Sequence, residues 1–247
     1  NGLPGSVFKT NQLVWGQTLA LIYNADFASS LVPNSWRGSL LCPIFKKGDR
    51  SRPENYRLIA LLDIEGKGYA SNLLIELESW VQANSILPPC QTGFRPQAST
   101  IDNVVALAYL AYQATLPRKR PLFSCFIDYS AAFDLVVREI LWQKLSNWGI
   151  PDNLLNAIIS LYSNTWVKVK LDQVHTTLPI QTSRGLKQGC VLAPLLFNLY
   201  TADLGRALGG TGLLTPKLGP LRIQVLQYAD DIVIFDYTKI GLQRALN

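Results

Sequence analysis

The chain contains no methionine, not even at its first position. An intact open reading frame needs one, so the sequence reads as an internal piece of something longer. Histidine is nearly absent too. His175 stands alone, and Cys42, Cys90, Cys125 and Cys190 lie 48, 35 and 65 residues apart with no C-x-x-C among them. That poverty argues against a structural zinc site and leaves the thiols as small hydrophobes of a reducing compartment. No long apolar run occurs either. The longest, Cys190 to Tyr200, carries Pro194 and Asn198 and is too short for a bilayer. With no signal-peptide pattern, no membrane association is expected, and the expected location is the cytoplasm or nucleus. Also missing are G-x-x-x-x-G-K-[ST], a strand-associated G-x-G-x-x-G, any internal repeat, and a Ser or Cys partner for His175, which reads as an ordinary strand residue.

What is present belongs to a folded protein. Its 247 residues suit one large domain or two intimate subdomains. A hydrophobic content of 48% supports a real core, while charged residues, at 16%, fall below the usual ~25%. Disordered and collagenous classes are excluded. The formal charge of +6 favours a polyanionic partner.

Periodicity and breakers divide the chain into alternating helical and hairpin stretches. Helices are expected over 6–30, 63–84, 99–115, 138–148, 151–163 and 188–208, the last long and mainly apolar. Strands are expected over 39–45 and 58–62, around the basic tip Lys46–Arg57, and over 122–127. Residues 166–171 and 176–183 read as a second hairpin, 209–220 as a flexible loop, and 221–228 with 232–235 as a last pair around a tight turn. Without regular β-α alternation, the class is α+β.

Three acids stand out because each interrupts the end of an apolar strand: Asp128 after F-S-C-F-I, and Asp230 with Asp231 between I-Q-V-L-Q-Y-A and I-V-I-F. An ionised carboxylate there needs a cation, donors or a proton, and the repulsion between neighbours Asp230 and Asp231 is relieved by a proton on one of them or by a divalent metal. Oxygen-only ligands select a hard ion such as magnesium, which keeps water and substrate phosphates as further ligands. Read alone, Ala-Asp-Asp is also an ordinary hairpin turn.

The neighbours narrow the choice. Tyr228-Ala229-Asp230-Asp231, preceded by Phe126-Ile127-Asp128-Tyr129-Ser130-Ala131-Ala132-Phe133-Asp134, resembles the two metal-binding motifs of reverse transcriptases, most closely those of non-LTR (LINE-type) retrotransposons. Between them, the stretch from Arg184 to Asn198 is similar to that family's Q-G-x-x-L-S-P-x-L-F motif. Upstream, Pro43 to Asp49 and Asn55-Tyr56-Arg57 match its fingers motifs, and Gln91-Thr92-Gly93-Phe94-Arg95 with Ser99-Thr100 matches its Q-x-G-F-R segment. The motifs come in the family's order and span residues 36 to 235. Leu58 and Ala60 stand where the family usually has Pro and Ser, and Cys190 and Ala193 where it commonly has Ser.

The resemblance implies a right-hand polymerase fold: an N-terminal helical segment (1–35), fingers (36–121) and a palm (122–247) whose antiparallel sheet is backed by helices, with the thumb absent. It implies that Asp128 and Asp230 hold two Mg2+ ions for nucleotidyl transfer to a primer 3′-hydroxyl, with Asp231 as helper carboxylate. The sheet should place Asp128 beside the Asp230–Asp231 turn. By the same resemblance, Phe133 packs under the incoming sugar, Lys46 and Arg57 grip the triphosphate, and Gln188 and Gly189 approach the nucleotide and template. Without it, Phe133 is a core aromatic and the two basic residues are solvated. The implied partners are an RNA template, a DNA primer, dNTPs and the remainder of a longer polyprotein. An inactive relic that only binds nucleic acid, and a group II intron-type reverse transcriptase, are the alternatives.

Overall fold

The computed structural model describes residues 6–117, 120–172 and 174–247. In chain order the elements are α1 (Gln12–Ser29), α2 (Asn34–Arg37), β1 (Gly38–Phe45), β2 (Tyr56–Leu61), α3 (Ile64–Ala83) and α4 (Thr100–Thr115). Next come β3 (Phe123–Ile127), α5 (Arg138–Asn147), α6 (Asp152–Tyr162), β4 (Thr165–Val169) and β5 (Ile180–Thr182). The last are α7 (Ala193–Tyr200), α8 (Leu204–Gly209), β6 (Lys217–Leu218), β7 (Leu221–Arg222), β8 (Val225–Tyr228), β9 (Asp231–Asp236) and α9 (Lys239–Leu246). Contacts gather them into two compact units, Asn1–Ala83 with Phe133–Ala193, and Asn84–Ala132 with Pro194–Asn247. Each unit joins an early and a late stretch of chain.

The first unit holds the mixed sheet β2-β1-β4-β5. The expected first hairpin is there, β1 antiparallel to β2 from Leu40↔Leu61 to Phe45↔Tyr56. It joins the second hairpin through a parallel pairing of β1 with β4 that begins at Gly38↔Trp166. On α3, Tyr69, Leu73, Leu77 and Val81 recur every fourth residue and are all buried, the stripe a helix presents to a core. It meets α6, which buries Leu154, Leu155, Ile158 and Leu161. Each such buried aliphatic side chain contributes roughly 1.5–3 kcal/mol.

In the second unit β3, β9 and β8 form an antiparallel sheet with helices on both faces. Pairings run Phe123↔Asp236 to Ile127↔Ile232 on one side of β9 and Val225↔Ile234 to Tyr228↔Asp231 on the other. Alternation along β9 then sorts the core. Val233 and Phe235, with Leu226, pack on Ala106 and Leu110 of α4. Ile232 and Ile234, with Val225, pack against Leu208, Leu213 and the flanking Leu204, Leu242 and Ala245. Burial on both faces is why β9 reads as an unbroken apolar run.

Several expectations are corrected. The single helix over 188–208 is two short ones. Residues 188–192 form turns, with Gly189 at φ 78°, and α7 begins only at Ala193, next to Pro194; proline is favoured in a first turn because it has no N–H to leave unpaired. The break after Tyr200 coincides with Thr201, whose hydroxyl donates to the carbonyls of Phe197 and Asn198, a local bond that competes with the helical ladder. The stretch read as a flexible loop carries β6, paired with β7. His175 lies in the loop between β4 and β5, where its ring nitrogen meets Asp172 at 2.7 Å. All four cysteines are free thiols. No described helix is long and apolar enough to cross a membrane.

Candidate active site

The three singled-out carboxylates gather at one end of the β3-β9-β8 sheet. The last β3 pairing is Ile127↔Ile232, so Asp128 leaves its strand beside Asp231, the first residue of β9. Asp230 sits in the two-residue turn closed by Tyr228↔Asp231. Asp128 and Asp231 are exposed and line one cavity of about 360 Å³ with apolar walls from Val104, Leu107, Phe126 and Val233; Asp230 is half-buried and is not part of that lining. Among the described residues no three His, Cys, Asp or Glu side chains converge tightly enough to hold a metal ion. Neither does any described side chain hydrogen-bond or ion-pair with these three acids.

The backbone around them, by contrast, is held firmly. Ala229 has φ 56°, the left-handed region where a hairpin turn ordinarily uses glycine. Its N–H donates to Gln91 Oε1 at 3.1 Å, and its carbonyl accepts from Gln91 Nε2 at 3.3 Å. The same Oε1 accepts from the Gly93 N–H at 2.9 Å. Residues 90–92 run alongside β8: Gln227 N–H donates to the Cys90 carbonyl at 2.9 Å, and its own carbonyl accepts from Thr92 N–H at 3.0 Å. Thr92 Oγ1 and Asn103 Nδ2 also donate to that carbonyl, at 3.2 and 2.9 Å. Gly93 is obligatory here, because an added Cβ would lie 2.2 Å from Ala229 N. Asn198 of α7 donates to the Gly93 carbonyl at 2.7 Å. The Q-x-G-F-R segment is thus a brace for the acidic turn, a role that no spacing in the sequence discloses.

The remaining predicted site residues belong to the first unit. Lys46 follows β1 and extends its ladder, its N–H donating to Asn55 at 2.8 Å; Arg57 pairs with Ile44. Alternation puts both exposed cations on one face of that hairpin. Phe133 is half-buried, and its carbonyl accepts from Leu186 N–H at 2.8 Å. Gln188 Nε2 donates to both oxygens of Asp134 at 3.0 and 3.2 Å. Gly189 passes so close to β2 that an added Cβ would lie 3.0 Å from the Ala60 carbonyl.

Sequence reasoning missed Arg138. The residue is 6% exposed, and its guanidinium faces acceptors throughout. Nε donates to the Gly185 carbonyl at 2.7 Å, Nη1 to Tyr162, Thr165 Oγ1 and Thr182 at 2.9, 2.7 and 3.3 Å, and Nη2 to Arg184 at 3.2 Å. Burial lowers its pKa from the ordinary arginine value. Arg138 thereby ties the segment preceding Gln188 to α6 and β4.

Comparison with known proteins adds four findings. The family model described as "Reverse transcriptase (RNA-dependent DNA polymerase)" matches residues 44–247. The probable RNA-directed DNA polymerase from transposon BS of Drosophila melanogaster is 32% identical over 187 residues, 75% of this chain and 20% of that protein. The retrovirus-related Pol polyprotein from type-2 retrotransposable element R2DM, also of Drosophila melanogaster, is 26% identical over 246 residues, 100% of this chain and 22% of that protein. The chain therefore spans about a fifth of these relatives' length. Among solved structures, apo telomerase from Candida Tropicalis, truncated from its C-terminal domain, aligns over 94% of this chain and 50% of that one with a TM-score of 0.58. At 13% identity this last likeness speaks for the fold alone.

Proposed function

The chain belongs to the reverse transcriptase family, as a domain of the non-LTR (LINE-type) class, and on that premise we propose that it carries out RNA-directed DNA synthesis within a longer retrotransposon protein. The observation that carries the reading is the cluster of strand-end carboxylates whose oxygens no described side chain engages, two of them lining one cavity. Carboxylates that served the fold would be bonded to it.

Reverse transcriptases work with divalent metal ions, and the donor set suits them. Two cavity-lining carboxylates and one at the adjoining turn supply only hard oxygen ligands, which fits an ion that completes its shell with water and phosphate oxygens. We assign Asp128 and Asp230 as holders of two Mg2+ ions and Asp231 as helper. Such ions, when bound, acidify the attacking hydroxyl and neutralise the leaving pyrophosphate. The chain's own residues do the rest. Lys46 and Arg57, on one face of the β1–β2 hairpin, grip the triphosphate of an incoming dNTP. Phe133 blocks a 2′-hydroxyl. Gln188, oriented by Asp134, and Gly189 contact the nucleotide and the RNA template. Fingers (36–121) and palm (122–247) name these roles.

Primer extension on an RNA template with Mg2+, using the full-length protein, tests the proposal. Asp230→Asn should reduce the rate by at least about a thousandfold, because it removes a charge from the reacting centre. Equal extension by both proteins would expose contamination, and RNA binding without extension by either would leave a nucleic-acid-binding relic. Phe133→Ala should admit ribonucleotides; an unchanged dNTP preference would return Phe133 to a packing role.

A further inference from the structure

We propose that Gln91 is a positioning residue for the acidic turn: its carboxamide holds Ala229 in the left-handed conformation and so determines where Asp230 and Asp231 project. The inference rests on the reverse transcriptase reading and extends it to a residue outside the carboxylates. Ala229 carries a Cβ at a backbone conformation that disfavours one, at a cost of order 1 kcal/mol, and such a conformation persists only where the surroundings over-determine it. Here one buried side chain adds to the Tyr228↔Asp231 pairing that closes the turn. Gln91 is 1% exposed and its amide bonds both the N–H and the C=O of Ala229. A carboxamide can do both at once, since it carries a donor and an acceptor on one planar group.

The carboxamide is itself fixed. Its oxygen takes a second bond from Gly93 N–H, and Asn198 anchors the Gly93 carbonyl. The chain from Asn198 to Gly93 to Gln91 to Ala229 is therefore a continuous set of bonds ending one residue before Asp230. Ala229 lies in the turn, 138 residues from Gln91 in sequence. Neither Gln91 nor Asn198 is a carboxylate, so neither competes with Asp128, Asp230 or Asp231 for a cation. Their contribution is geometric. A loosened turn would leave the carboxylates present but misplaced, and misplacement by about 1 Å can cost on the order of 100-fold in rate.

The test uses the full-length protein and three variants: Gln91→Leu, which removes all three bonds at similar volume; Gln91→Glu, which keeps the acceptor for the two N–H groups but, ionised, cannot donate to the Ala229 carbonyl; and the double variant Gln91→Leu with Ala229→Gly. Three quantities are measured: kcat and the dNTP KM in primer extension, Mn2+ affinity in the absence of nucleic acid, and hydrogen exchange across residues 225–233. Gln91→Leu should lower kcat on the order of 100-fold with KM changed by no more than about twofold, weaken Mn2+ binding about 10–100-fold, and speed exchange at the turn. Gln91→Glu should fall between it and wild type. Ala229→Gly should recover roughly tenfold of the Gln91→Leu loss, because glycine takes the left-handed conformation without help. Rescue by a smaller residue is what a simple packing role cannot give. Unchanged Mn2+ affinity and turn exchange in a folded Gln91→Leu protein would overturn the proposal, as would a loss that glycine does not relieve. Should wild type show no extension at all, the reverse transcriptase reading fails while metal affinity and exchange still decide the role of Gln91.

Discussion

Around Arg138 and around the β8–β9 turn, buried polar groups are used in opposite ways. Arg138 commits its guanidinium to the carbonyls of Tyr162, Thr182, Arg184 and Gly185 and to the Thr165 hydroxyl, leaving an ion with no freedom to act. At the turn the ions stay free of described side-chain partners, and neutral amides from Gln91, Gly93 and Asn198 fix the backbone instead. The first arrangement buries a charge to hold a segment in place; the second holds the backbone so that charges remain available. Stability and activity should therefore separate cleanly between the two regions.

The largest expected effect breaks the first arrangement. Arg138→Leu removes the donor from five acceptors; the Thr165 hydroxyl and the Thr182 carbonyl keep their bond to each other at 2.9 Å, and each of the others costs about 1–3 kcal/mol if left unpaired and buried. With partial relaxation the loss should reach about 3–5 kcal/mol, or on the order of 10 °C in melting temperature for a chain of this size. Asp230→Asn, expected to cost extension at least about a thousandfold, should shift stability by no more than about 0.5 kcal/mol. Calorimetry of the two variants side by side checks the contrast, and an Arg138→Leu protein that melts with wild type would dissolve it.

A smaller effect probes the brace. Gly93→Ala forces a Cβ against Ala229 N, so the two backbones must part, at a cost of about 1–3 kcal/mol. Because the displaced segment carries the acidic turn, extension should fall more than stability. Gly16 is the control: nothing lies within 4 Å of a Cβ added there, in exposed α1. Gly16→Ala should gain roughly 0.5–1 kcal/mol by helix propensity. Urea titrations of both proteins measure this, and a Gly93→Ala variant as stable and active as wild type would show that the turn needs no close neighbour.

How far the sequence disclosed these regions follows from the range of the interactions. β3, β8 and β9 were legible because apolar runs ended by acids are local features, and motif order brought Asp128 to Asp230 across 102 residues. The logic that singled out Asp128 applies equally to Asp236, which ends the run I-V-I-F. Yet Asp236 is fully buried and accepts from Leu214 N–H at 2.8 Å and from the Thr238 N–H and hydroxyl. What separates a structural acid from an available one is its partners, and these lie up to 22 residues away. Arg138 was invisible for the same reason. In L-V-V-R-E-I-L it looks like an exposed helix start, while its acceptors sit as far as 47 residues on. The parallel pairing of β1 with β4 has no local signature at all. The broken helix was legible in principle, from Gly189 and Pro194, but apolar content outweighed them.

The smallest effect concerns Lys187, which stands between the two uses of charge. Its ammonium donates to the Trp36 carbonyl at 2.8 Å and lies 5.5 Å from the Tyr162 ring centre. Burial lowers its pKa from 10.5 to about 8, with Arg138 and Arg37 adding to the fall and Cys190 opposing it. Between pH 8 and about 10 the unfolded chain keeps this proton while the folded protein has released it. At this site the unfolded state then binds more protons, so the lysine makes stability rise with pH across that window, opposed toward its upper end by the Cys90 thiol, whose pKa burial raises. Higher up the sign reverses. Burial raises the pKa of Tyr23, Tyr69, Tyr129 and Tyr162, that of Tyr69 to about 12, so the folded protein keeps phenol protons that the unfolded chain loses. The urea midpoint should climb from pH 7.5 to about 9.5, by an equivalent of about 1–2 kcal/mol, and then decline. Lys187→Met should flatten the climb and leave the decline intact. A rising limb that survives the substitution would mean that Lys187 keeps its proton in the fold, a held ion like Arg138.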